Sequence, residues 1–211
     1  MINILLADDH TLFREGIKKL LADQADMKIT AEAKNTIEVL DICKKKQFDV
    51  ILLDISMPGK SGLDIIKDVK RMNKKAVVLI LTMYEEDRFA FRAFKNGASG
   101  YLTKENTVQE LVKAIRKVVS GGKYISSDFA EELANEIKKE NGTGRPRYHK
   151  LSDREFQVMI MITSGKKVVE IAKDLDLSKS TINTYRARIL EKLGLRGNVD
   201  LTHYAIDNKL I

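Results

Sequence analysis

Cysteine is nearly absent from this chain, since Cys43 is the only one among 211 residues. A single cysteine excludes a disulfide within the chain and gives no support to a zinc site. Cys43 lies with Val39 and Leu40 on the apolar side of a helical stretch, so a buried, reduced thiol is expected. No apolar run approaches the roughly 20 residues that cross a bilayer. Residues 1–3 lead into a strand pattern rather than a signal segment, so a cytoplasmic protein without a membrane partner is expected.

The rest of the composition is that of a folded protein. Hydrophobic residues make up 44% and charged residues 32% of the chain, which excludes a disordered or fibrous protein. A length of 211 residues is enough for two domains, each with its own core. The net charge of +7 is compatible with a polyanionic partner. Within residues 179–196 a single acid, Glu191, accompanies Lys179, Arg186, Arg188, Lys192 and Arg196.

The first 125 residues alternate between short apolar runs, typical of strands, and stretches with helical periodicity. Strands are predicted over residues 2–7, 28–33, 49–53, 76–81 and 100–103. Helical stripes are predicted from Leu12, Ile17, Leu20 and Leu21, from Ile37, Leu40 and Cys43, from Leu63, Ile66 and Val69, and from Val108, Leu111, Ile115 and Val118. This alternation requires parallel strand pairing with right-handed crossovers. Residues 1–122 are therefore expected to form an α/β doubly wound, flavodoxin-like domain with a five-stranded parallel sheet.

A change of pattern separates this domain from a second one. Residues 123–147 are expected to form a linker that contains a helical segment over 126–140 and a Gly- and Pro-containing stretch over 141–146. Residues 148–211 show only helical patterns and predict a small all-α helix-turn-helix domain. The predicted helix signals are a capping box of Ser152 and Glu155, a stop at Gly165, a helix over 168–175, a third helix from the cap Ser178 to Gly194, and a fourth from the cap Asn198 through Ile206.

The third helix of the second domain has the features of a DNA-reading helix. Ile182, Ile189, Leu190 and Leu193 predict its buried stripe, with Tyr185 at the border. The opposite face carries small polar side chains that can approach base edges, and basic side chains along its margins can reach phosphates. The predicted contacts to double-stranded DNA are Lys179, Ser180, Thr181, Asn183, Thr184, Tyr185, Arg186, Ala187, Arg188 and Lys192.

Polar side chains follow four of the predicted strands in the first domain. Asp8 and Asp9 follow the first strand, Asp54 the third, Thr82 the fourth and Lys104 the fifth. In an open parallel sheet the carboxyl ends of the strands meet at one exposed edge, where ligands bind. The three carboxylates, the hydroxyl and the ammonium are therefore expected to face one another.

Carboxylates that lie side by side repel one another and call for a cation between them. A hard divalent ion fits oxygen ligands, and Mg²⁺ is expected, with Mn²⁺ as a second candidate. Asp9 and Asp54 are predicted as direct ligands, together with the Ser56 carbonyl, and Asp8 as a ligand through water. Asp54 is then the predicted phosphoryl acceptor. Lys104 supplies positive charge and Thr82 a hydroxyl donor to the phosphoryl oxygens.

The ordered set of Asp8, Asp9, Asp54, Thr82 and Lys104 resembles the receiver domain of bacterial two-component response regulators. Met57, Pro58 and Gly59 match the turn after the phosphorylated aspartate of that family, and Tyr101 matches the aromatic residue that turns inward when the switch hydroxyl engages phosphate. The second domain resembles the LuxR-type helix-turn-helix, so the whole chain is similar to NarL/FixJ regulators. The residues that match the LuxR type are Leu151, Ser152, Arg154, Glu155, Gly165, Glu170, Ile171, Ala172, Leu175, Ser178, Thr181, Ile182, Leu190, Lys192, Leu193 and Gly194.

The resemblance implies a DNA-binding transcription regulator rather than an enzyme. Its covalent chemistry would be phosphorylation of Asp54 by a sensor histidine kinase and slow self-dephosphorylation, with phosphorylation controlling homodimerisation and DNA binding. RNA polymerase is a further candidate partner. The last helix commonly forms a dimer contact in this family, and Leu201, Tyr204 and Ala205 are the candidates here.

Two alternative functions stay open on sequence grounds. A phosphatase with an aspartate nucleophile would share the Asp, Thr and Lys set, but it would need a second acid to activate water and a cap over the substrate. A regulator that binds DNA independently of phosphorylation is the other alternative. His10, directly after the acids, is set aside as a metal ligand because a hard, oxygen-ligated ion does not favour imidazole.

Overall fold

The computed structural model describes residues 1–126, 129–131 and 146–211. The chain divides into two compact units, Met1–Ala130 and Glu131–Ile211. Most of the helix predicted over 126–140 and most of the Gly- and Pro-containing stretch lie outside the described residues. No helix among the described residues is both long and apolar enough to span a membrane.

The first unit alternates strands and helices as the sequence predicts. The strands are β1 (Ile2–Ala7), β2 (Met27–Ala33), β3 (Val50–Leu53), β4 (Val77–Thr82) and β5 (Gly100–Thr103). The helices are α1 (Thr11–Ala22), α2 (Thr36–Lys45), α3 (Gly62–Met72), α4 (Glu86–Asn96) and α5 (Val108–Val119). All strand pairs are parallel, in the order β2-β1-β3-β4-β5. The predicted doubly wound fold with a five-stranded sheet is confirmed.

The register of the central strands brings the polar strand ends together. Ala7 of β1 pairs with Leu53 of β3, and the Asp54 amide donates to the Ala7 carbonyl at 2.9 Å. On the other side, Thr82 of β4 pairs with Thr103 of β5, and the Lys104 amide donates to the Thr82 carbonyl at 2.7 Å. Because β1 and β3 are buried on both faces, only the ends of these strands expose polar groups to a ligand.

Two of the predicted helical stripes are only partly correct, because Ile17, Leu21 and Cys43 are buried while other predicted members are exposed. Leu12 is 89% and Ile37 67% exposed, and the buried stripe of α1 runs through Arg14, Ile17 and Leu21. Apolar spacing alone missed this orientation because a buried arginine with polar partners occupies one position of the inward face. In α2, the predicted Cys43 is buried together with Thr36 and Val39, and the predicted Leu40 is half-buried. Burial raises the pKa of Cys43 to about 11, in agreement with the predicted unreactive thiol.

The chain after α5 continues along the edge of the sheet. Tyr124 forms a parallel bridge with Gly100, and the Tyr101 amide donates to the Tyr124 carbonyl at 3.0 Å. Further along, Phe129 is 5% exposed and stacks on Phe94 of α4 at 6.0 Å between ring centroids. The start of the predicted linker is therefore packed onto β5 and α4 of the first unit.

The second unit is helical in its described part. A 3₁₀ helix (Arg147–Lys150) precedes α6 (Asp153–Thr163), α7 (Val168–Asp174), α8 (Lys179–Leu193) and α9 (Asn198–Asp207). The predicted capping box is present, since the Ser152 hydroxyl accepts from the Glu155 amide and the Glu155 carboxylate accepts from the Ser152 amide. Gly194 ends α8 in the left-handed conformation at φ +65°. The predicted helix-turn-helix arrangement of α7 and α8 is confirmed.

Two expectations for α9 are wrong. Gly197, not Asn198, is the N-cap, and Asn198 is the first helical residue, with its side-chain oxygen accepting from Arg186 Nε at 2.6 Å. Leu201 and Ala205 are fully buried in the second unit and cannot form the dimer contact, because the domain core already uses their apolar surface. Tyr204 is half-buried, and its hydroxyl accepts from the Tyr148 amide at 3.0 Å, so its role in a dimer contact stays a prediction.

Candidate functional site

Asp54 lies at the centre of the polar edge of the sheet and is 1% exposed. One carboxylate oxygen, Oδ1, accepts from the Ser56 amide at 3.1 Å. The other, Oδ2, accepts from the Lys104 ammonium at 2.7 Å. Short strand β3 delivers this carboxylate to the rim, and the Ser56 turn and Lys104 fix its orientation.

Gly62 closes the turn behind Asp54. Its amide donates to the Ile55 carbonyl at 3.0 Å as α3 begins. A Cβ at this position would lie 2.1 Å from the carbonyl oxygen of Asp54 and 3.1 Å from the Cα of Ile55. Only a residue without a Cβ allows α3 to approach the acceptor backbone this closely.

Asp8 and Asp9 stand beside Asp54 at the end of β1. Oδ2 of Asp8 lies 2.6 Å from the Lys104 ammonium, while its Oδ1 accepts from the His10 amide at 2.8 Å. Oδ1 of Asp9 lies 2.9 Å from Nδ1 of His10, without the angles of a hydrogen bond. One ligand atom from each of Asp8, Asp9, His10 and Asp54 falls within 4.8 Å of the others.

The electrostatics of this cluster favour a cation at Asp9. Burial raises the pKa of Asp9, and the carboxylates of Asp54 and Asp8 raise it further, although His10 opposes them. Among the described residues, Oδ1 of Asp9 is one of few buried side-chain oxygens without a hydrogen-bond donor. A carboxylate oxygen that accepts no hydrogen bond and lies beside two other carboxylates is a suitable ligand for a hard divalent ion.

Lys104 is the cation that the structure already places between two of the acids. Its side chain is 5% exposed and also lies over the Phe13 ring, 4.6 Å from the centroid. Burial alone would lower the pKa of Lys104, but the Asp54 and Asp8 carboxylates outweigh it and raise the pKa above its ordinary value. The ammonium therefore stays charged at neutral pH.

Thr82 and Tyr101 line the adjacent part of the edge. Thr82 is fully buried, and within the described part of the chain its hydroxyl has no hydrogen-bond partner. Tyr101 is 2% exposed and turned inward, and its hydroxyl donates to the Tyr84 carbonyl at 2.9 Å. The pair thus offers a free donor near the acids and an aromatic ring tied to the segment that follows β4.

In the second unit, α8 exposes most of the predicted DNA-facing set. Lys179, Ser180, Asn183, Thr184, Ala187, Arg188 and Lys192 are exposed, and Thr181, Tyr185 and Arg186 are half-buried. Ile182, Ile189 and Leu193 are buried as predicted, and Leu190 is half-buried. Hydroxyls at the helix start are mutually bonded, with Ser178 Oγ 2.7 Å from Ser180 Oγ and 2.8 Å from Thr181 Oγ1.

Lys192 differs from the other predicted phosphate contacts. Its ammonium lies 2.6 Å from the carboxylate of Glu155, whose side chain is only 4% exposed. Burial would raise the pKa of Glu155, but Lys192 and the Ser152 amide together lower it. Lys192 therefore joins α8 to the start of α6, which is a structural contact within the domain.

Comparison with known proteins identifies both units. Residues 4–116 match the response regulator receiver domain model, and residues 149–205 match the model of bacterial regulatory proteins of the luxR family. The chain is a response regulator of the NarL/FixJ type. A receiver domain and a LuxR-type DNA-binding domain make this response regulator a DNA-binding transcription regulator of a two-component system.

Known relatives match this response regulator over its whole length. It is 41% identical over 210 residues to the response regulator UvrY of Escherichia coli (strain K12), covering 100% of this chain and 96% of UvrY. It is 37% identical over 211 residues to the response regulator GacA of Pseudomonas aeruginosa, covering 100% and 98%. A solved structure of RcsB from Salmonella enterica serovar Typhimurium, bound to the promoter rprA with the phosphomimetic BeF₃⁻, has a TM-score of 0.61 and 25% identity, covering 96% and 97%.

Sequence reasoning missed two residues of the response regulator's sheet edge, Phe13 and Arg14. Phe13 supplies the ring beneath the Lys104 ammonium. Arg14 is 3% exposed, and its Nη1 donates to the carbonyl of Asp8 at 2.8 Å. Its position in the sequence could have indicated this role. Arg14 lies three residues before Ile17 and therefore on the inward face of α1, where a buried arginine requires polar partners.

Proposed function

We propose that this response regulator is switched by phosphorylation of Asp54 and that the switch controls dimerisation and DNA binding. The observation that carries the proposal is the convergence of Asp8, Asp9 and Lys104 on the Asp54 carboxylate. A receiver domain implies a sensor histidine kinase as the phosphodonor. Asp54 would attack the phosphorus of a phosphohistidine. The new bond joins an Asp54 oxygen to phosphorus, and the imidazole leaves with the electron pair of the P–N bond and takes a proton from water.

The surrounding residues prepare Asp54 for this transfer. The Ser56 amide and Lys104 hold the two carboxylate oxygens in separate directions. When bound by Asp9, Asp54, the Ser56 carbonyl and, through water, Asp8, Mg²⁺ or Mn²⁺ would supply neutralisation of negative charge on the phosphoryl oxygens. Lys104 would transfer its contact to one phosphoryl oxygen, and the Thr82 hydroxyl, which lacks an acceptor, would donate to another.

In this proposal, Tyr101 and its neighbours transmit the conformational change from Asp54 to the rest of the domain. Movement of Thr82 towards the phosphoryl group would rearrange the segment at Tyr84, whose carbonyl accepts from the Tyr101 hydroxyl. Tyr84 in turn packs on Phe89 of α4 at 4.4 Å between ring centroids. The Tyr101 amide is bonded to Tyr124, so β5, α4 and the start of the linker would respond together.

For DNA binding we propose that α8 enters the major groove of double-stranded DNA. Its exposed polar face would read base edges, and Lys179 and Arg188 at its margins would contact phosphates. For dimerisation we propose the solvent face of α9. Val199 is 71% and Ile206 53% exposed, with His203 exposed between them, and a second copy of the chain would cover this face.

Phosphate incorporation tests the acceptor directly. Incubation with acetyl phosphate and Mg²⁺, followed by mass spectrometry of the intact chain, should show one phosphoryl group on the parent protein and none on Asp54→Asn. Asp49→Asn is the matched control, because Asp49 lies at the opposite end of β3 and bonds only Asn3 among the described side-chain contacts. Equal labelling of Asp54→Asn would contradict the proposal. Repeated turnover of phosphodonor on Asp54, instead of a retained label, would favour a phosphatase.

A further inference from the structure

Arg14 is a buried cation with three partners, one of which is the backbone of the acidic cluster. Its Nε lies 3.2 Å from Glu32 Oε2, its Nη2 3.4 Å from the Thr11 hydroxyl, and its Nη1 2.8 Å from the Asp8 carbonyl oxygen. Burying a guanidinium is costly unless it is paired and hydrogen-bonded. The bond from a charged donor to a neutral carbonyl is stronger than an ordinary one, so Arg14 constrains the Asp8 peptide group.

The backbone of Asp8 is held at both its amide and its carbonyl. Its amide donates to the Ala33 carbonyl at the end of β2 at 3.0 Å, and its carbonyl accepts from Arg14. Glu32, the residue before Ala33, holds the guanidinium. Because the peptide group is planar, fixing the Asp8 carbonyl also fixes the direction in which the chain enters Asp9.

This constraint acts where like charges meet. The Asp8 side chain is committed to Lys104, while Asp9 has a carboxylate oxygen without a hydrogen-bond donor close to Asp8 and Asp54. Gathering the three carboxylates costs free energy through repulsion. If the turn is fixed, this repulsion is overcome when the domain folds and not when the ion binds. A divalent ion then binds to ligands that are already in place.

We propose that Arg14 is a positioning residue for the divalent cation: through the Asp8 carbonyl it presets the Asp8–Asp9 turn and thereby raises the affinity of the acidic cluster for Mg²⁺. The inference rests on the proposed function, which places Mg²⁺ at this cluster. Arg14 is not one of the candidate ligands and reaches the cluster only through the Asp8 carbonyl. Its action through the peptide group of a ligand residue is of the kind that typically changes metal affinity by about 10- to 100-fold.

The test is a Mg²⁺ titration of the full chain, read by amide NMR shifts of the sheet-edge residues and by the Mg²⁺-dependent rise in Tm. Arg14→Met should bind Mg²⁺ about 10- to 100-fold more weakly. Arg14→Lys should have an intermediate Mg²⁺ affinity. A lysine ammonium lacks the planar guanidinium that donates to the Glu32 carboxylate and the Asp8 carbonyl at the same time. Glu32→Gln keeps acceptors for Arg14 and should retain the parental affinity.

Arg116→Met is the matched control elsewhere in the receiver. Arg116 also holds an acid near β2, with its Nη2 2.9 Å from Asp26 Oδ1, but it lies outside the acidic cluster. This variant should leave Mg²⁺ affinity unchanged.

The outcomes separate this inference from the proposed function. A parent protein that binds no Mg²⁺ would contradict the magnesium part of the proposed function and the inference with it. A parent that binds Mg²⁺ together with a folded Arg14→Met of equal affinity would overturn the inference alone. Should Arg14→Met fail to fold, parental affinity in Arg14→Lys would overturn it. Equal weakening in Arg14→Met and Glu32→Gln would assign Arg14 a merely structural role and overturn it as well.

Discussion

Replacing Gly62 by alanine should destabilise the receiver at the acceptor aspartate. The added Cβ would lie 2.1 Å from the Asp54 carbonyl oxygen, which is backbone and cannot rotate away. Restoring an ordinary contact requires a separation of about 1 Å more between α3 and the end of β3. Overpacking of this kind typically costs about 1–3 kcal/mol, and here it also displaces the carboxylate that Ser56 and Lys104 hold.

Gly16→Ala is the control with the opposite expected sign. Gly16 lies inside α1, and its added Cβ would meet nothing within 4 Å. Alanine at that helical position should therefore stabilise the domain by about 0.5–1 kcal/mol.

Native-state hydrogen exchange, read peptide by peptide, resolves the effect within the first unit. In Gly62→Ala, peptides from β3 and α3 should exchange roughly tenfold faster or more, since about 1.4 kcal/mol corresponds to a factor of ten. Peptides from α6 to α9 should exchange at the parental rate, and acetyl phosphate should label the variant more slowly. Parental exchange in β3 and α3 together with parental labelling would refute the steric argument.

Three further predictions concern the acidic cluster, α8 and α9. The folded-state pKa of Asp9 is raised, so ionisation of Asp9 lowers the stability of the fold once the pH exceeds the unfolded-state pKa. Asp9→Asn should therefore have a higher Tm than the parent at pH 7 without divalent ions, and it should lose the Mg²⁺-dependent rise in Tm. Below the pH at which an ordinary aspartate protonates, the Tm of the variant and that of the parent should be equal. In DNA-binding titrations, the slope of the logarithm of the binding constant against the logarithm of salt concentration should fall in Arg188→Ala by about 0.9 per bound protomer. Lys192→Ala should leave that slope unchanged and lower the free energy of unfolding by about 1 kcal/mol, because its carboxylate partner is buried. Val199→Asp should abolish phosphorylation-dependent dimers in sedimentation velocity, while Val169→Asp, a valine 54% exposed on α7, should not; dimers that persist in Val199→Asp would contradict the α9 interface.

The sequence sufficed for the sheet and for the residues at its edge because parallel strands share one carboxyl end. Asp54 and Asp8 could be expected to meet once β1 and β3 were recognised as neighbours. Thr82 and Lys104 followed from the same reasoning, and the register of β4 and β5 agrees. These predictions depend only on where apolar runs end, which is a local property of the chain.

Features that depend on packing in three dimensions were harder to predict. The apolar residues Leu12 and Ile37 were assigned to buried stripes, yet both are exposed, because the inward face is set by contacts with the sheet. Arg14 escaped notice because its charge masked a buried position. Likewise Leu201 and Ala205 fit a helix face, but only the structure distinguishes the face that joins the domain core from the face that remains exposed.

In the proposed switch, chemistry at Asp54 controls the DNA affinity of a separate domain. The most direct measurement is fluorescence anisotropy with a DNA fragment selected from a random pool, for the parent and Asp54→Asn, at one fixed salt concentration, with and without acetyl phosphate and Mg²⁺. The phosphodonor should raise the DNA affinity of the parent and leave that of Asp54→Asn unchanged. Equal affinity of the parent in both conditions, or the same increase in Asp54→Asn, would contradict the proposed switch.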